Sequence, residues 1–224
     1  MKQTLVLLLL VLTGLGCAGR RDGQSAQAEK KDTTPAQLPT LRPGEAVATF
    51  AGGCFWCLEE ELEELKGVRE VISGYAGGQT ENPTYEEVGT DKTGHAEAVQ
   101  VYYDPAVISY DVLLDAFFAG HDATTLNRQG PDVGTQYRSM AFYRTPDEKA
   151  RIEAAIRREN ESDHHIDPVV TEVVPFRAFY PAETYHQNYY RRHPDDFYIR
   201  EVSRPKVEKF RQRMQGRLKD NLPQ

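Results

Sequence analysis

Cysteine is almost missing. The 224-residue chain has three, Cys17, Cys54 and Cys57, and none from Leu58 to Gln224. So few thiols exclude a disulfide scaffold, and they assign the Cys54/Cys57 pair to chemistry rather than to stapling. Tryptophan is scarcer still: the single Trp56 sits between those two cysteines. A membrane-spanning segment is also lacking, because the apolar run Leu5 to Leu12 is too short to cross a bilayer as a helix. Positive charge is in deficit. The formal net charge is −7, and removing residues 1–16, which carry one Lys and no acid, takes it to −8. That balance excludes nucleic acid and anionic lipid surfaces as partners. No internal repeat is present.

What is there begins with an export signal over residues 1–16. Met1-Lys2-Gln3 forms a positive n-region, Leu5 to Leu12 an apolar h-region, and Gly14-Leu15-Gly16 a small-residue cleavage site. Cys17 ends the run, as a bacterial lipoprotein cysteine does, although Gly14 stands where such signals usually carry Leu. Cys17 is therefore a lipidation candidate, with plain export as the alternative. Either way the mature chain is expected in an oxidising place, periplasmic or membrane-anchored. Residues 17–44, polar and without apolar periodicity, read as a flexible tether. A domain follows over 45–204, and then a basic C-terminal helix or tail over 205–224.

Within the domain, Ala46 to Ala51 reads as a strand and Gly52-Gly53 as a turn. Cys54 to Lys66 reads as a helix with Leu58, Leu62 and Leu65 on one stripe. Glu59, Glu60 and Glu61 are placed near its N-terminal end, where carboxylates complement the helix dipole. Strands are expected at Val68 to Tyr75, Ala96 to Tyr103, Tyr137 to Tyr143 and Val169 to Val174, with loops over 76–94 and 121–136. Ser109 caps a helix to Phe118 that Gly120 closes, and Thr145-Pro146-Asp147-Glu148 opens another to about Asn160. Val207, Phe210, Met214 and Leu218 form an apolar stripe after Pro205. Strands and helices mix without strict alternation, which predicts an α+β two-layer sandwich.

Cys54 stands where a strand turns through two glycines into a helix. The first-turn N–H groups and the dipole are expected to lower its pKa. Cys57 is one turn on, close enough in principle for a disulfide; the alternative is a buried pair of small hydrophobes. Phe55 and Trp56 point about 100° apart, so they cannot both join one core stripe, and one of them is expected partly exposed beside Cys54. Period-2 alternation puts Glu97 on the face of Val99 and Val101. A carboxyl ending an apolar row is desolvated, stays protonated near neutral pH and can act as a general acid; an exposed strand-end Glu is the other reading. Tyr85, Tyr137 and Asp132 lie at loop–strand borders and taken singly are weak signals.

Together these residues give a resemblance. Gly53-Cys54-Phe55-Trp56, Gly74-Tyr75-Ala76-Gly77-Gly78, Asn82-Pro83-Thr84-Tyr85, Thr93-Gly94-His95-Ala96-Glu97, Asn127-Arg128-Gln129-Gly130, Gly134-Thr135-Gln136-Tyr137-Arg138-Ser139 and Tyr180-Pro181-Ala182-Glu183 stand in this order over about residues 46–200. The chain resembles the A-type peptide methionine sulfoxide reductases. The resemblance implies an α+β sandwich with a mixed sheet, related to the ferredoxin-like layout. It implies Cys54 as nucleophile and Phe55 and Trp56 as walls of an S-methyl pocket. Tyr85, Glu97 and Tyr137 would hold the sulfoxide oxygen, with Glu97 as proton donor and Asp132 as hydrogen-bonding support. It implies oxidised methionine-containing proteins and peptides as substrates, no bound cofactor or metal, and a monomer recycled by an external thiol reductant such as a thioredoxin-like protein.

Many members carry Gly after the Trp and resolving cysteines near the C-terminus. Here Cys57 takes that position and no later cysteine exists. The expected path is Cys54 sulfenic acid, then a Cys54–Cys57 disulfide, then exchange with a dithiol protein; direct reduction of the sulfenic acid is the alternative. Two other readings compete. Cys-x-x-Cys at a helix start is also the mark of thioredoxin-like disulfide oxidoreductases, though a Phe-Trp insert and Glu97 fit them poorly. A metal or peptide-binding lipoprotein would need His164 and His165 beside the two cysteines, a spacing that matches no zinc motif.

Overall fold

The computed structural model describes residues 31–222. The expected signal over 1–16, Cys17 and the first part of the 17–44 stretch lie outside the described residues. The elements, in order, are β1 (Ala46–Gly52), α1 (Phe55–Glu63), β2 (Val68–Ala76), α2 (Tyr85–Val88), β3 (Ala96–Tyr103), α3 (Tyr110–Gly120), β4 (Arg128–Gln129), β5 (Asp132–Val133), β6 (Ser139–Tyr143), α4 (Pro146–Asn160), β7 (Glu172–Pro175), β8 (Phe179–Pro181), α5 (Tyr189–Arg192) and α6 (Arg204–Arg213). Short 3-10 turns occupy Thr135–Tyr137 and Thr184–His186, and a π-helical turn, Ile199–Ser203, leads into α6.

Six strands form one mixed sheet in the order β7-β6-β1-β3-β2-β8, with β6 and β7 parallel and every other pair antiparallel. Alternation divides the sheet residues between two faces. Phe50, Val71, Val99 and Val101 share a core with Leu58, Leu62 and Leu65, with Leu113, Leu114 and Phe117 of α3, and with Ile152 of α4. The opposite face gathers Ala51, Ile72, Ala98, Tyr102, Met140 and Phe142. This is an α+β fold with its helices against one sheet face. The predicted caps form: Ser109 accepts from the Val112 N–H at 3.3 Å and Thr145 from the Glu148 N–H at 3.1 Å.

Several boundaries move. Tyr137 ends a 3-10 turn, and its strand begins two residues later at Ser139. The 121–136 loop contains the small β4–β5 hairpin. The last sheet strand on the β6 side starts at Glu172 rather than Val169. Val207, Phe210 and Met214 are buried in the main core, so α6 is packed into the domain.

The acidic run on α1 needs a correction. Glu59, Glu60 and Glu61 do not sit in the first turn, and all three are buried. The reason is that α5 and α6 cover this side of the helix. The Asn188 N–H donates to both oxygens of Glu59 at 3.0 Å, Arg191 pairs with Glu60 at 2.6 Å, and Arg211 forks onto Glu64. Neither oxygen of Glu61 finds a hydrogen-bond partner among the described residues.

These carboxyls predict an unusual pH dependence of stability. Burial is the main cause that pushes Glu59 up to about 8 and Glu60 to about 7, and it raises Glu61 and Glu97 well above the ordinary 4.5. A carboxyl raised on folding binds its proton more tightly in the native state. Its contribution is full below the unfolded value and is lost as pH rises through the folded value. Two buried histidines act the other way. Burial lowers His121 to about 4 and His186 to about 3, so they subtract stability once pH falls below their ordinary 6.5. Melting temperature is therefore expected to rise as pH falls from about 8.5 to 6.5, and the gain to be offset below that. Calorimetry across this range checks it; a midpoint that climbs between pH 6.5 and 8.5 would contradict it.

Candidate active site

The site is built where β1 breaks into α1. Gly53 has φ +90°, and a Cβ there would lie 2.4 Å from Gln129 Cγ, so only glycine makes this turn. Cys54 follows as the N-cap residue of α1, 6% exposed, and Cys57 lies one turn further in, 4% exposed; both thiols are free. Glu97 comes from β3 on the helix-covered face, 3% exposed. Its Oε2 accepts the Phe55 N–H at 3.0 Å.

That hydrogen bond bears on the thiol. An amide expected to stabilise a Cys54 thiolate is committed to Glu97 instead. Burial pushes the Cys54 thiol well up, and the adjoining Cys57 thiol adds to the rise. The Tyr198 hydroxyl and the Trp56 N–H pull the other way without reversing it. The expected lowering of the Cys54 pKa is thus overturned: desolvation outweighs the helix terminus. Glu97 is raised by burial first and by the nearby Cys54 second. Both shifts favour the protonated forms.

A cavity of about 300 Å³ opens beside Cys54, and Phe55, Trp56, Tyr85, Glu97, Asp132 and Tyr137 all line it. Cys57 lies behind Cys54, outside the lining. Phe55 is fully buried, whereas Trp56 is half-buried, stacked on Tyr189 at 3.9 Å and edge-on to Tyr198. Tyr85 is placed by the Thr84–Glu87 capping box, and its own N–H donates to Glu183. Tyr137 is placed by its 3-10 turn, where Thr135 donates twice to Asp91 at 2.8 Å. Burial raises the Tyr85 and Tyr137 hydroxyls, keeping both as neutral donors.

Sequence reasoning missed four contributors. Tyr198 reaches the cavity from the C-terminal segment and donates to Asp132 Oδ2 at 2.5 Å. Tyr189 walls it beside Trp56. Glu183 accepts from Tyr75 Oη at 3.0 Å and from Tyr85 N–H at 2.9 Å. His186 is buried, and its Nδ1 accepts the Trp56 indole N–H at 3.1 Å. Two signals were available: Glu183 closes the Tyr180-Pro181-Ala182-Glu183 segment, and tyrosine is dense between Tyr180 and Tyr198. His164 and His165 lie elsewhere, both bonded to Glu159, and no cluster of three metal-ligating side chains occurs among the described residues.

A buried thiol at a helix start, an acid bonded into the same turn and an aromatic wall define a thiol oxidoreductase. The model of the family described as peptide methionine sulfoxide reductase matches residues 46–218. The chain belongs to that family. It is 52% identical over 171 residues to the peptide methionine sulfoxide reductase MsrA of Haloquadratum walsbyi, covering 76% of this chain and 97% of the relative. The MsrA of Thermus thermophilus is 50% identical over 175 residues, covering 78% and 98%. Among solved structures, methionine sulfoxide reductase A of Corynebacterium diphtheriae superposes with a TM-score of 0.66 at 33% identity, over 70% of this chain and 78% of that one. Reduced Mxr1 from Saccharomyces cerevisiae gives 0.66 at 32% identity, over 70% and 91%.

Proposed function

We propose that this chain reduces methionine S-sulfoxide, in proteins and peptides and as the free amino acid, to methionine. The observation that carries this is the juxtaposition of Cys54 and a buried Glu97, whose pKa burial raises, on one small aromatic-walled cavity. A sulfoxide whose methyl group lies against Trp56 presents its sulfur to Cys54 and its oxygen toward Glu97, Tyr85 and Tyr137. Oxygen leaves sulfur poorly unless it is protonated. Cys54 sulfur attacks the sulfoxide sulfur and forms a sulfur–sulfur bond, Glu97 gives its proton to the oxygen, and the thiol proton passes to Glu97. The protonated oxygen then leaves its sulfur and adds to the Cys54 sulfur, breaking the sulfur–sulfur bond and expelling the thioether. The thiol and sulfoxide thus become a sulfenic acid on Cys54, oxidised by two electrons, and a thioether, reduced by two. Tyr198 and Asp132, bonded to each other beside Cys54, brace the sulfur end of the cavity.

Recycling is assigned to Cys57. Its thiol attacks the sulfenic sulfur, a Cys54–Cys57 disulfide forms and water leaves. A thioredoxin-like dithiol then exchanges with that disulfide. The signal expected over residues 1–16 and Cys17 support an enzyme that repairs exported proteins, in the periplasm or held at a membrane. Assay of each sulfoxide epimer with wild type and Cys54→Ser tests the reading. The S epimer alone is expected to be consumed, and Cys54→Ser to be inactive. Turnover by Cys54→Ser, or none by wild type on either epimer, would refute it.

A further inference from the structure

The family match begins at residue 46, yet the chain just before it is fastened to the cavity wall. Asp32 to Ala36 runs antiparallel to the segment after β8. The Ala36 N–H donates to the Ala182 carbonyl at 2.9 Å. Thr184 donates to the Thr34 carbonyl through its N–H at 2.8 Å and its Oγ1 at 3.0 Å, and the Tyr185 N–H donates to the Asp32 carbonyl at 3.2 Å. Pro35 bridges Glu183, and Lys31 Nζ lies 4.9 Å over the Tyr185 ring. The segment is shaped for this by its own turn, in which Asp32 Oδ1 accepts from Thr34 N–H and Thr34 Oγ1.

The wall it grips holds the site. Ala182 donates to the Ser73 carbonyl of β2 at 2.9 Å, so residues 182–186 lie between the sheet and the strap. On the inner side Glu183 fixes Tyr75 and Tyr85, and His186 fixes Trp56 while packing against the Tyr85 ring at 4.4 Å. The His186 acceptor nitrogen has to stay unprotonated to hold the indole, and burial keeps it so. The wall would otherwise present an edge with unpaired backbone groups, free to fray.

We propose that Asp32–Ala36 is a positioning strap of the cavity, setting Trp56 and Tyr85 through His186 and Glu183. It extends the working site upstream of the family domain. The inference rests on the cavity being the sulfoxide site, but its main readout does not.

The test is the full chain carrying Asp32→Ala with Ala36→Pro, which removes the turn acceptor and the Ala36 donor. Trp56 is the only tryptophan, so its emission reports the wall directly. The emission is expected to shift to the red, and the Thr184 and Tyr185 amides to exchange faster. KM for a methionine sulfoxide peptide is expected to rise about three- to tenfold with kcat within about twofold. His186→Phe, which removes the acceptor and keeps an aromatic ring in place, should reproduce the red shift. Faster exchange with unchanged emission and KM would reduce the strap to an edge cover and overturn the proposal. Amides that stay protected would overturn it as well, since these hydrogen bonds would then not be what holds the wall. A red shift in a chain inactive even as wild type would keep the strap and sink the sulfoxide reading.

Discussion

Glu97→Gln is expected to lower kcat by about 10²- to 10⁴-fold with methionine sulfoxide, the range typical of losing a general acid. The substitution keeps an amide oxygen that can still accept the Phe55 N–H, so the turn carrying Cys54 survives. What it removes is the proton. KM should change little, because Trp56, Tyr85 and Tyr137 still line the cavity. The loss belongs to the transition state, where charge builds on the departing oxygen. Steady-state kinetics under saturating reductant decide it. A kcat within about threefold of wild type would move the proton donor to Tyr85 or Tyr137. Those hydroxyls are poor candidates: burial raises both and makes them reluctant to ionise.

Cys57→Ser should separate chemistry from recycling. One methionine per enzyme is expected in a first burst at near wild-type rate, because Cys57 does not line the cavity. Continued turnover with a dithiol protein should then fall by about tenfold or more, since an intramolecular thiol is replaced by a bimolecular one. Helical residues three apart bring their Cα atoms within disulfide reach, and no cysteine from Leu58 onward can substitute. Mass spectrometry of the oxidised enzyme gives the complementary view. Wild type treated with substrate and no reductant should carry the Cys54–Cys57 disulfide. A trappable Cys54 sulfenic acid in its place, together with undiminished turnover by Cys57→Ser, would leave Cys57 a bystander.

Local pattern carried much of this structure. β3 runs from Ala96 to Tyr103 as its alternation predicts, and that register alone puts Glu97 on the same side as Val99 and Val101. The Gly52-Gly53 turn and the Leu58-Leu62-Leu65 stripe place Cys54 at a helix start. Features set by distant chain were illegible. The acids of α1 read as dipole partners because nothing near them announces that Asn188, Arg191 and Arg211 will cover them. The rise of the Cys54 pKa is illegible for the same cause: it comes first from burial, and nothing beside Cys54 in the sequence announces how deeply the thiol is covered. His186 and Glu183 lie in a tract with no periodicity, and their value comes wholly from Trp56, Tyr75 and Tyr85 on other elements.

The interior placement of sulfur has a consequence for durability. Met140 is 2% exposed against the helix-free sheet face and Met214 is 7% exposed in the main core, so each thioether presents little surface to dissolved oxidants. Methionine oxidation needs contact with the oxidant and ruins packed cores when it happens. Little methionine sulfoxide should therefore form in the folded molecule on exposure to peroxide, so the fold is largely spared the lesion that gives its family its name.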